Sequence, residues 1–149
     1  MKVVIMAGGK GTRIASVNSD VPKPMIPIDG KPILEYQINA LAAQGYCEII
    51  LIIGHLGHVI RDYFEDGSKW NVQISYIEEN TPLGTAGALF YLKEQIKDDF
   101  LLLNGDIIFD VDIRRFLAYH KAQGTMATIL THPNSHPYDS GIIVADNDG

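Results

Sequence analysis

Continuous apolar runs alternate along the chain with segments in which apolar residues recur every three or four positions. The runs are typical of strands buried on both faces of a parallel sheet, since such strands have helices on either side. The periodic segments are typical of amphipathic helices. The pattern predicts strands at 2–6, 48–53, 72–77, 99–106, 125–132 and 141–146, and helices at 32–45, 58–66, 85–96 and 113–124.

The alternation of these elements predicts the fold class. Strands separated by helices of this length build βαβ units, so we predict an α/β protein: a Rossmann-like, three-layer α/β/α fold with a mostly parallel sheet. Gly45 and Gly124 are predicted to end two of the helices, and Asp112 to cap the N-terminus of the last one. Ligands of such sheets bind beyond the carboxyl ends of the strands.

Composition and charge narrow the range of partners. The 149 residues include 12 Lys and Arg and 18 Asp and Glu, a net charge of −6, which argues against nucleic acid as a general partner. The charge is unevenly placed, because residues 1–31 carry five cations and two acids, whereas the remainder is strongly acidic. The basic beginning of the chain suits a small polyanionic ligand.

Cysteine content and hydropathy bear on location. A single cysteine, Cys47, excludes an intrachain disulfide and fits a reducing compartment, and its side chain is most simply a small hydrophobe facing the core. No run approaches the ~20 apolar residues of a membrane span, and the apolar run after Lys2 is shorter than the ~7–15 residues of a signal-peptide core. We therefore predict a cytoplasmic protein with no membrane partner.

The first predicted strand runs into AGGKGTR, residues 7–13, which we call the glycine loop. Glycine lets the backbone approach a ligand closely, and successive loop N–H groups can bind an anion. Lys10 and Arg13 add positive charge, so the predicted ligand is a phosphate. Two common phosphate motifs do not fit: Gly11 follows Lys10 where a Walker A motif has Ser or Thr, and Ile14 stands where a dinucleotide fingerprint has glycine.

A second candidate segment is VPKPMIP, residues 21–27. Proline fixes φ and biases the preceding residue towards extended conformations. Pro22 and Pro24 are therefore expected to hold Lys23 in a rigid, non-helical segment. A cation held in this way can meet a phosphate with a smaller loss of conformational entropy.

These segments together resemble the sugar-1-phosphate nucleotidyltransferases, the enzymes that make nucleotide-sugars. The glycine loop followed by VPKPMIPIDGKPILEY looks like the opening signature of that family. The likeness continues with TPLGTAGAL at 81–89, LNGDIIFDVDI at 103–113 and SGIIVADNDG at the end of the chain. The four segments span essentially the whole chain in the family's order.

The resemblance implies a fold of the nucleotide-diphospho-sugar transferase type and a set of site residues. The glycine loop would wrap a nucleoside triphosphate, Lys23 would contact phosphate at the reaction centre, and Asp106 would bind Mg²⁺, the implied cofactor. The implied catalytic residues are Arg13, Lys23 and Asp106. The implied nucleotide-binding residues are Ala7, Gly8, Gly9, Lys10, Gly11, Thr12, Arg13, Pro82, Gly84, Thr85 and Gly87, and Gly141 is implied to contact the sugar.

The implied reaction is nucleotidyl transfer from a nucleoside triphosphate to a sugar 1-phosphate, with release of pyrophosphate. The segment PLGTAG looks more like that of mannose- and heptose-1-phosphate guanylyltransferases than like the GLA or GLG of thymidylyl- and uridylyltransferases. GTP is therefore the predicted donor, and a hexose or heptose 1-phosphate the predicted acceptor. Uridylyl or cytidylyl transfer, or a regulatory domain that binds nucleotide-sugars without turnover, remain the alternatives.

The last residues, Asn147-Asp148-Gly149, form a hairpin-turn signal with no return strand after it. We therefore expect residues 1–149 to be the nucleotide-binding part of a nucleotidyltransferase domain, truncated at the C-terminus. Such a piece should bind triphosphate but transfer it poorly, because transfer also requires the acceptor to be held in line. The unpaired edge of the strand predicted at 141–146 would favour pairing with another copy, so a homo-oligomer is left open.

Overall fold

A computed structural model describes residues 1–9, 21–79 and 87–133. The chain forms two compact units, Met1–Val111 and Asp112–Gly149. The strands of the described residues are β1 Val3–Met6, β2 Pro27–Ile28, β3 Lys31–Pro32, β4 Glu48–Ile53, β5 Gln73–Glu78 and β6 Leu101–Asn104. Their α-helices are α1 Ile33–Ala43, α2 Gly57–Phe64 and α3 Ile113–Gln123, and 3-10 helices span Lys23–Met25, Ser68–Trp70 and Gly87–Leu92.

Four strands form one parallel sheet in the order β5-β4-β1-β6, and β2 and β3 form a separate antiparallel pair. In the central strand, Val4 pairs with Ile50 of β4 on one side and with Leu102 of β6 on the other. Val3, Val4 and Ile5 are all fully buried, as the continuous apolar run predicts for a strand covered on both faces. The predicted α/β class with a mostly parallel sheet is confirmed.

Both faces of this sheet are covered, so the first unit has three layers. On one face, Val4, Ile50 and Ile52 form a core cluster with Ala88 and Leu92 of the 3-10 helix Gly87–Leu92. The opposite face is covered by α2 and α1. The first residue of α2, Gly57, lies directly against the side chain of Ile53. The Tyr63 hydroxyl of α2 donates a hydrogen bond to Glu35 of α1 (2.6 Å), which joins the two helices. Full burial of one aliphatic side chain contributes about 1.5–3 kcal/mol.

The ends of α1 and α3 follow the predicted signals. Gly45, just after α1, has φ +84°, and Gly124, just after α3, has φ +61°, a left-handed conformation that glycine adopts without a steric penalty. Asp112 caps α3, because its Oδ1 accepts a hydrogen bond from the backbone N–H of Arg115 at 3.1 Å.

Away from the candidate site, three sequence predictions are wrong in the described residues. Residues 125–132 form no strand: Met126, Ile129 and Leu130 are exposed, and no described segment pairs with them, although a strand exists only through a hydrogen-bonded partner. The helix predicted at 85–96 is a 3-10 helix at Gly87–Leu92, because apolar spacing over six residues does not distinguish i→i+3 from i→i+4 bonding. Cys47 is exposed, since it lies in the connection before β4 rather than on a packed face.

The strand predicted at 141–146 lies outside the described residues. Among the described residues, no helix combines the length and the apolar character that a membrane crossing requires.

Candidate functional site

Four strands of the main sheet end at the same level, and hydrogen bonds between their last residues align them. Beyond β1, the Ala7 N–H donates to Ile52 O at 2.8 Å. Beyond β5, the Glu79 N–H donates to Ile53 O at 2.8 Å, and beyond β6 the Gly105 N–H donates to Met6 O at 2.9 Å. Parallel strands place all their carboxyl ends on one side, where ligands of such sheets bind. We call this side the carboxyl edge.

Glycines let the backbones at the carboxyl edge approach one another closely. A Cβ at Gly54 would lie 2.9 Å from Gly8 O, and a Cβ at Gly8 would lie 3.1 Å from Gly54 N. A Cβ at Gly105 would lie 2.9 Å from Met6 O. Gly8 was predicted only as a phosphate-binding residue, whereas the structure also gives it a packing role. A role for Gly54 was not predicted from the sequence, where its only signal is that a glycine directly follows β4.

The described residues of the site include one close ion pair. Lys23 Nζ lies 2.5 Å from Asp106 Oδ2, although the two residues are 83 positions apart in the sequence. The two side chains are 36% and 33% exposed, so the pair stands at the surface and is reachable from solvent. The resemblance implied these two residues separately, one for phosphate and one for metal, and the fold brings them together.

Local structure explains how Lys23 reaches this position. Pro22 is extended, with φ −68° and ψ 149°, and Lys23 begins the 3-10 helix Lys23–Met25. The Met25 N–H donates to Pro22 O at 2.7 Å, and Pro24 and Met25 are buried. The prediction that this segment is non-helical is wrong, because proline at the second position suits the first turn of a helix, where its missing N–H has no partner to lose.

A second carboxylate, that of Glu79, lies beside the start of the glycine loop. Glu79 directly follows β5, and its Oε2 is 3.4 Å from the position that a Cβ on Gly8 would occupy. The neighbouring residue Glu78 forms an ion pair with Arg61 of α2 at 3.2 Å. Consecutive residues of a strand point to opposite faces, which explains why the two glutamates have different surroundings. The sequence analysis did not single out Glu79.

The backbone on either side of Asp106 accepts hydrogen bonds from a side chain of α1. The Gln37 side chain is 1% exposed, and its Nε2 donates to Asn104 O at 2.8 Å and to Ile107 O at 2.5 Å. Seven residues later, just after the end of α1, Gln44 Nε2 donates to Val111 O at 3.1 Å. Sequence reasoning missed both glutamines, because a polar residue on an otherwise apolar helix face gives no sign of its partner.

The remaining predicted site residues divide into two groups. Ala7, Gly8, Gly9 and Gly87 are described: Ala7 is buried, no atom of the described residues lies within 4 Å of the position of a Cβ on Gly9, and Gly87 begins a 3-10 helix. The others lie outside the described residues: Lys10, Gly11, Thr12, Arg13, Pro82, Gly84, Thr85 and Gly141.

Resolved pKa shifts occur on α2, β5 and the turn between them. The hydrogen bond that Tyr63 donates to Glu35, with burial, raises the pKa of Tyr63 to about 12. Burial raises the pKa of Tyr76 to about 12, and its hydroxyl donates to Glu65 O at 2.6 Å. Hydrogen bonds from Ser68 lower the pKa of Asp66. Tyr63 thus joins α2 to α1, and Tyr76 joins β5 to the C-terminal cap of α2.

Within residues 1–9, 21–79 and 87–133, no group of three or more His, Cys, Asp or Glu side chains is arranged to hold a metal ion. A dedicated protein cage for a metal is therefore absent from the described part of the chain. One carboxylate beside a phosphate-bearing ligand is a different kind of site, and Mg²⁺ commonly uses it.

The chain is similar in sequence and fold to known nucleotidyl transferases. A family model described as nucleotidyl transferase matches residues 2–149. A UTP–glucose-1-phosphate uridylyltransferase of Synechocystis is 36% identical over the whole chain, and a D-glycero-α-D-manno-heptose 1-phosphate guanylyltransferase of Campylobacter jejuni is 41% identical over 77% of it. The crystal structure of HddC from Yersinia pseudotuberculosis with GMP-PN superimposes with a TM-score of 0.72, 38% identity and 80% of the chain covered.

The chain belongs to the nucleotidyl transferase family, and within it to the sugar-1-phosphate nucleotidyltransferases. It spans 42% and 52% of the length of the two curated relatives and 53% of the HddC chain. The names of the relatives differ in the nucleotide: the cyanobacterial protein is named for UTP, and the Campylobacter protein for guanylyl transfer.

Proposed function

We propose that this chain binds GTP with Mg²⁺ and supplies the nucleotide side of an enzyme that transfers GMP to a hexose or heptose 1-phosphate. The products are a nucleotide-sugar and pyrophosphate. The observation that carries the proposal is the Lys23–Asp106 pair, because the two residues proposed to bind phosphate and metal lie together at one point of the carboxyl edge. Family membership supplies the reaction class.

The residues at this point fit Mg²⁺. Asp106 already holds a cation, the ammonium group of Lys23, so its surroundings accept positive charge. Mg²⁺ is usually bound by one or two carboxylates together with substrate phosphates, and a single exposed carboxylate is what such binding needs from the protein. When bound, the ion would withdraw charge from the phosphate oxygens.

In the proposed reaction, a phosphate oxygen of the sugar 1-phosphate forms a bond to the α-phosphorus of GTP, and the bond from that phosphorus to the pyrophosphate oxygen breaks. The attacking phosphate is already anionic, so no residue has to remove a proton from it. The protein contributes alignment and charge neutralisation. Lys23 would steady the α-phosphate, while Lys10 and Arg13 would neutralise the departing pyrophosphate.

Glu79 supports guanine as the base. Its carboxylate lies beside Gly8, at the start of the loop proposed to bind the triphosphate. An ionised carboxylate only accepts hydrogen bonds, and it has two oxygens to do so. The N1–H and N2–H groups of guanine are two adjacent donors, whereas uracil offers the single N3–H. We therefore propose that Glu79 accepts from the guanine edge.

Uridylyl transfer is the second candidate, because the cyanobacterial relative, similar over the whole chain, is named for UTP. The acceptor is proposed only as a hexose or heptose 1-phosphate. Gly141 remains the predicted contact to the sugar.

The nucleotide is tested by thermal stability in the presence of Mg²⁺ and GTP, ATP, UTP, CTP or dTTP. A ligand at 100 times its Kd stabilises by about 2.7 kcal/mol. For a chain of this size, that is a rise in Tm of about 5–10 °C. GTP should give the largest rise, and an equal or larger rise with UTP or CTP would overturn the guanine assignment.

Glu79→Gln tests the base-reading role separately. Loss of a hydrogen bond to a charged group costs about 1.5–3 kcal/mol, so GTP affinity should fall by roughly 10- to 100-fold while UTP affinity holds or rises. Glu78→Gln is the matched control, since Glu78 pairs with Arg61 instead. Equal losses in the two variants would show that only the overall charge matters.

Asp106→Asn tests the metal role. The substitution keeps the size of the side chain but removes a charged oxygen, so Mg²⁺-dependent binding of GTP should weaken while the Tm of the free protein changes little. A collapse of the free protein's Tm would instead make Asp106 a structural turn residue.

A further inference from the structure

The position of Gln37 is unusual for a glutamine. It lies on the buried face of α1, where Leu34, Ile38 and Leu41 are fully buried. Its own side chain is 1% exposed, and no described residue donates a hydrogen bond to its Oε1. A buried acceptor without a partner costs free energy that an apolar side chain of the same size would avoid. Packing of α1 alone therefore does not favour glutamine here.

The amide group of Gln37 donates two hydrogen bonds, which an apolar side chain could not do. Its two N–H bonds reach Asn104 O at 2.8 Å and Ile107 O at 2.5 Å. The two residues between these acceptors are Gly105 and Asp106. One buried side chain thus closes the short turn that presents the Asp106 carboxylate, and it does so from a rigid helix.

Gln44 repeats the arrangement at lower burial. It lies seven residues, or about two helical turns, after Gln37, so the two side chains are on the same side of α1. Its Nε2 donates to Val111 O at 3.1 Å, at the far end of the segment that follows β6. Gln37 in α1 and Gln44 at its C-terminal cap therefore both bind the backbone of residues 104–111, but only Gln37 binds on both sides of Asp106.

We infer that Gln37 is a positioning residue for the Asp106 carboxylate: its amide fixes the 104–107 turn so that Asp106 is held ready for a divalent cation and for Lys23. The inference rests on the proposed role of Asp106 as a metal ligand. Groups that orient a ligand typically affect metal affinity by 10- to 100-fold when they are removed. When the two Nε2–H groups of Gln37 are placed in this way, its buried Oε1 is left without a hydrogen-bond partner among the described residues.

Gln37→Met tests the inference, because methionine has nearly the same volume but neither donor. Gln44→Met is the matched control on the same helix. Mn²⁺, a paramagnetic substitute for Mg²⁺, is titrated into each protein and the free ion is measured by electron paramagnetic resonance. Gln37→Met should bind Mn²⁺ about 10- to 100-fold more weakly, whereas Gln44→Met should bind it as the wild type does. Equal affinity in the two variants would overturn the inference.

A second readout needs no metal. The rate at which an amine-reactive ester acylates Lys23 depends on its pairing with Asp106, and Lys97 serves as an internal reference. Gln37→Met should raise the Lys23 to Lys97 rate ratio, because Asp106 would no longer be held against Lys23, and Gln44→Met should leave the ratio unchanged. A merely structural role would lower Tm in both variants without changing this ratio, and an unchanged ratio in Gln37→Met would overturn the inference.

Different results would refute the metal role of Asp106 and the positioning role of Gln37. If Asp106→Asn binds Mn²⁺ as well as the wild type does, the metal role of Asp106 is wrong, and the labelling ratio alone decides whether Gln37 positions the carboxylate. If Asp106→Asn loses Mn²⁺ but Gln37→Met does not, the metal role stands and the positioning role is wrong.

Discussion

Replacement of Lys23 by methionine should have opposite effects on two kinds of binding. Without nucleotide, the Lys23 ammonium group competes with a divalent cation for the Asp106 carboxylate, since it already lies 2.5 Å from Oδ2. Lys23→Met removes that competitor, so the free protein should bind Mn²⁺ or Mg²⁺ more tightly. With GTP present, the same variant should bind the metal–nucleotide complex more weakly, because a phosphate contact is lost.

The magnitude follows from the exposure of the pair. Its side chains are 36% and 33% exposed, which places it among surface ion pairs, worth about 0.2–1 kcal/mol. Repulsion between a divalent ion and a unit charge 4 Å away adds up to about 2 kcal/mol in a water-like dielectric, twice the value for two unit charges. Because the lysine can swing aside, we expect a net gain of about 1–2 kcal/mol, which is roughly 5- to 30-fold in metal affinity.

Calorimetric or paramagnetic titration of the nucleotide-free proteins measures this gain. Lys31→Met is the control, because it removes the same charge at a lysine that lies 3.8 Å from Glu35 instead. The control should bind metal as the wild type does. Unchanged or weaker metal binding by nucleotide-free Lys23→Met would refute the idea that the two cations compete for one carboxylate. A gain in both variants would assign the effect to net charge.

Three further outcomes are expected. Gly54→Ala should lower stability by about 1–3 kcal/mol in a denaturant titration, since its Cβ would lie 2.9 Å from Gly8 O. Gly9→Ala, whose Cβ would have no atom of the described residues within 4 Å, should stay within about 0.5 kcal/mol. Burial raises the pKa of Tyr76 from 10.0 to about 12, so the stability that its neutral form contributes is complete below pH 10 and is lost as the pH rises to 12. The Tm of Tyr76→Phe should therefore fall less between pH 10 and pH 12 than the Tm of the wild type. Equal falls in Tm would contradict this. Asp112→Ala should cost about 1 kcal/mol through loss of the cap of α3, and no change in Tm would show that the cap contributes nothing.

The sequence by itself determined the elements whose causes are local. The strands at 3–6 and 48–53 contain the continuous apolar runs 3–6 and 49–53, and such runs are stable only where both faces are covered. The ends of α1 and α3 follow from Gly45 and Gly124, because a left-handed conformation after a helix favours glycine wherever it occurs. The resemblance of short motifs also predicted functional roles for Lys23 and Asp106, but not a contact between them.

Only the tertiary structure decided which of these pieces meet. The Lys23–Asp106 pair and the bonds from Gln37 to Asn104 and Ile107 join residues that are 67 to 83 positions apart. The strand order β5-β4-β1-β6 creates these contacts, and that order depends on the packing of the whole sheet with its helices. Residues 125–132 show the converse, because a strand-like pattern forms no strand where no described segment pairs with it. Periodicity encodes the local conformation of a segment, whereas its partner is chosen by the free energy of the assembled fold.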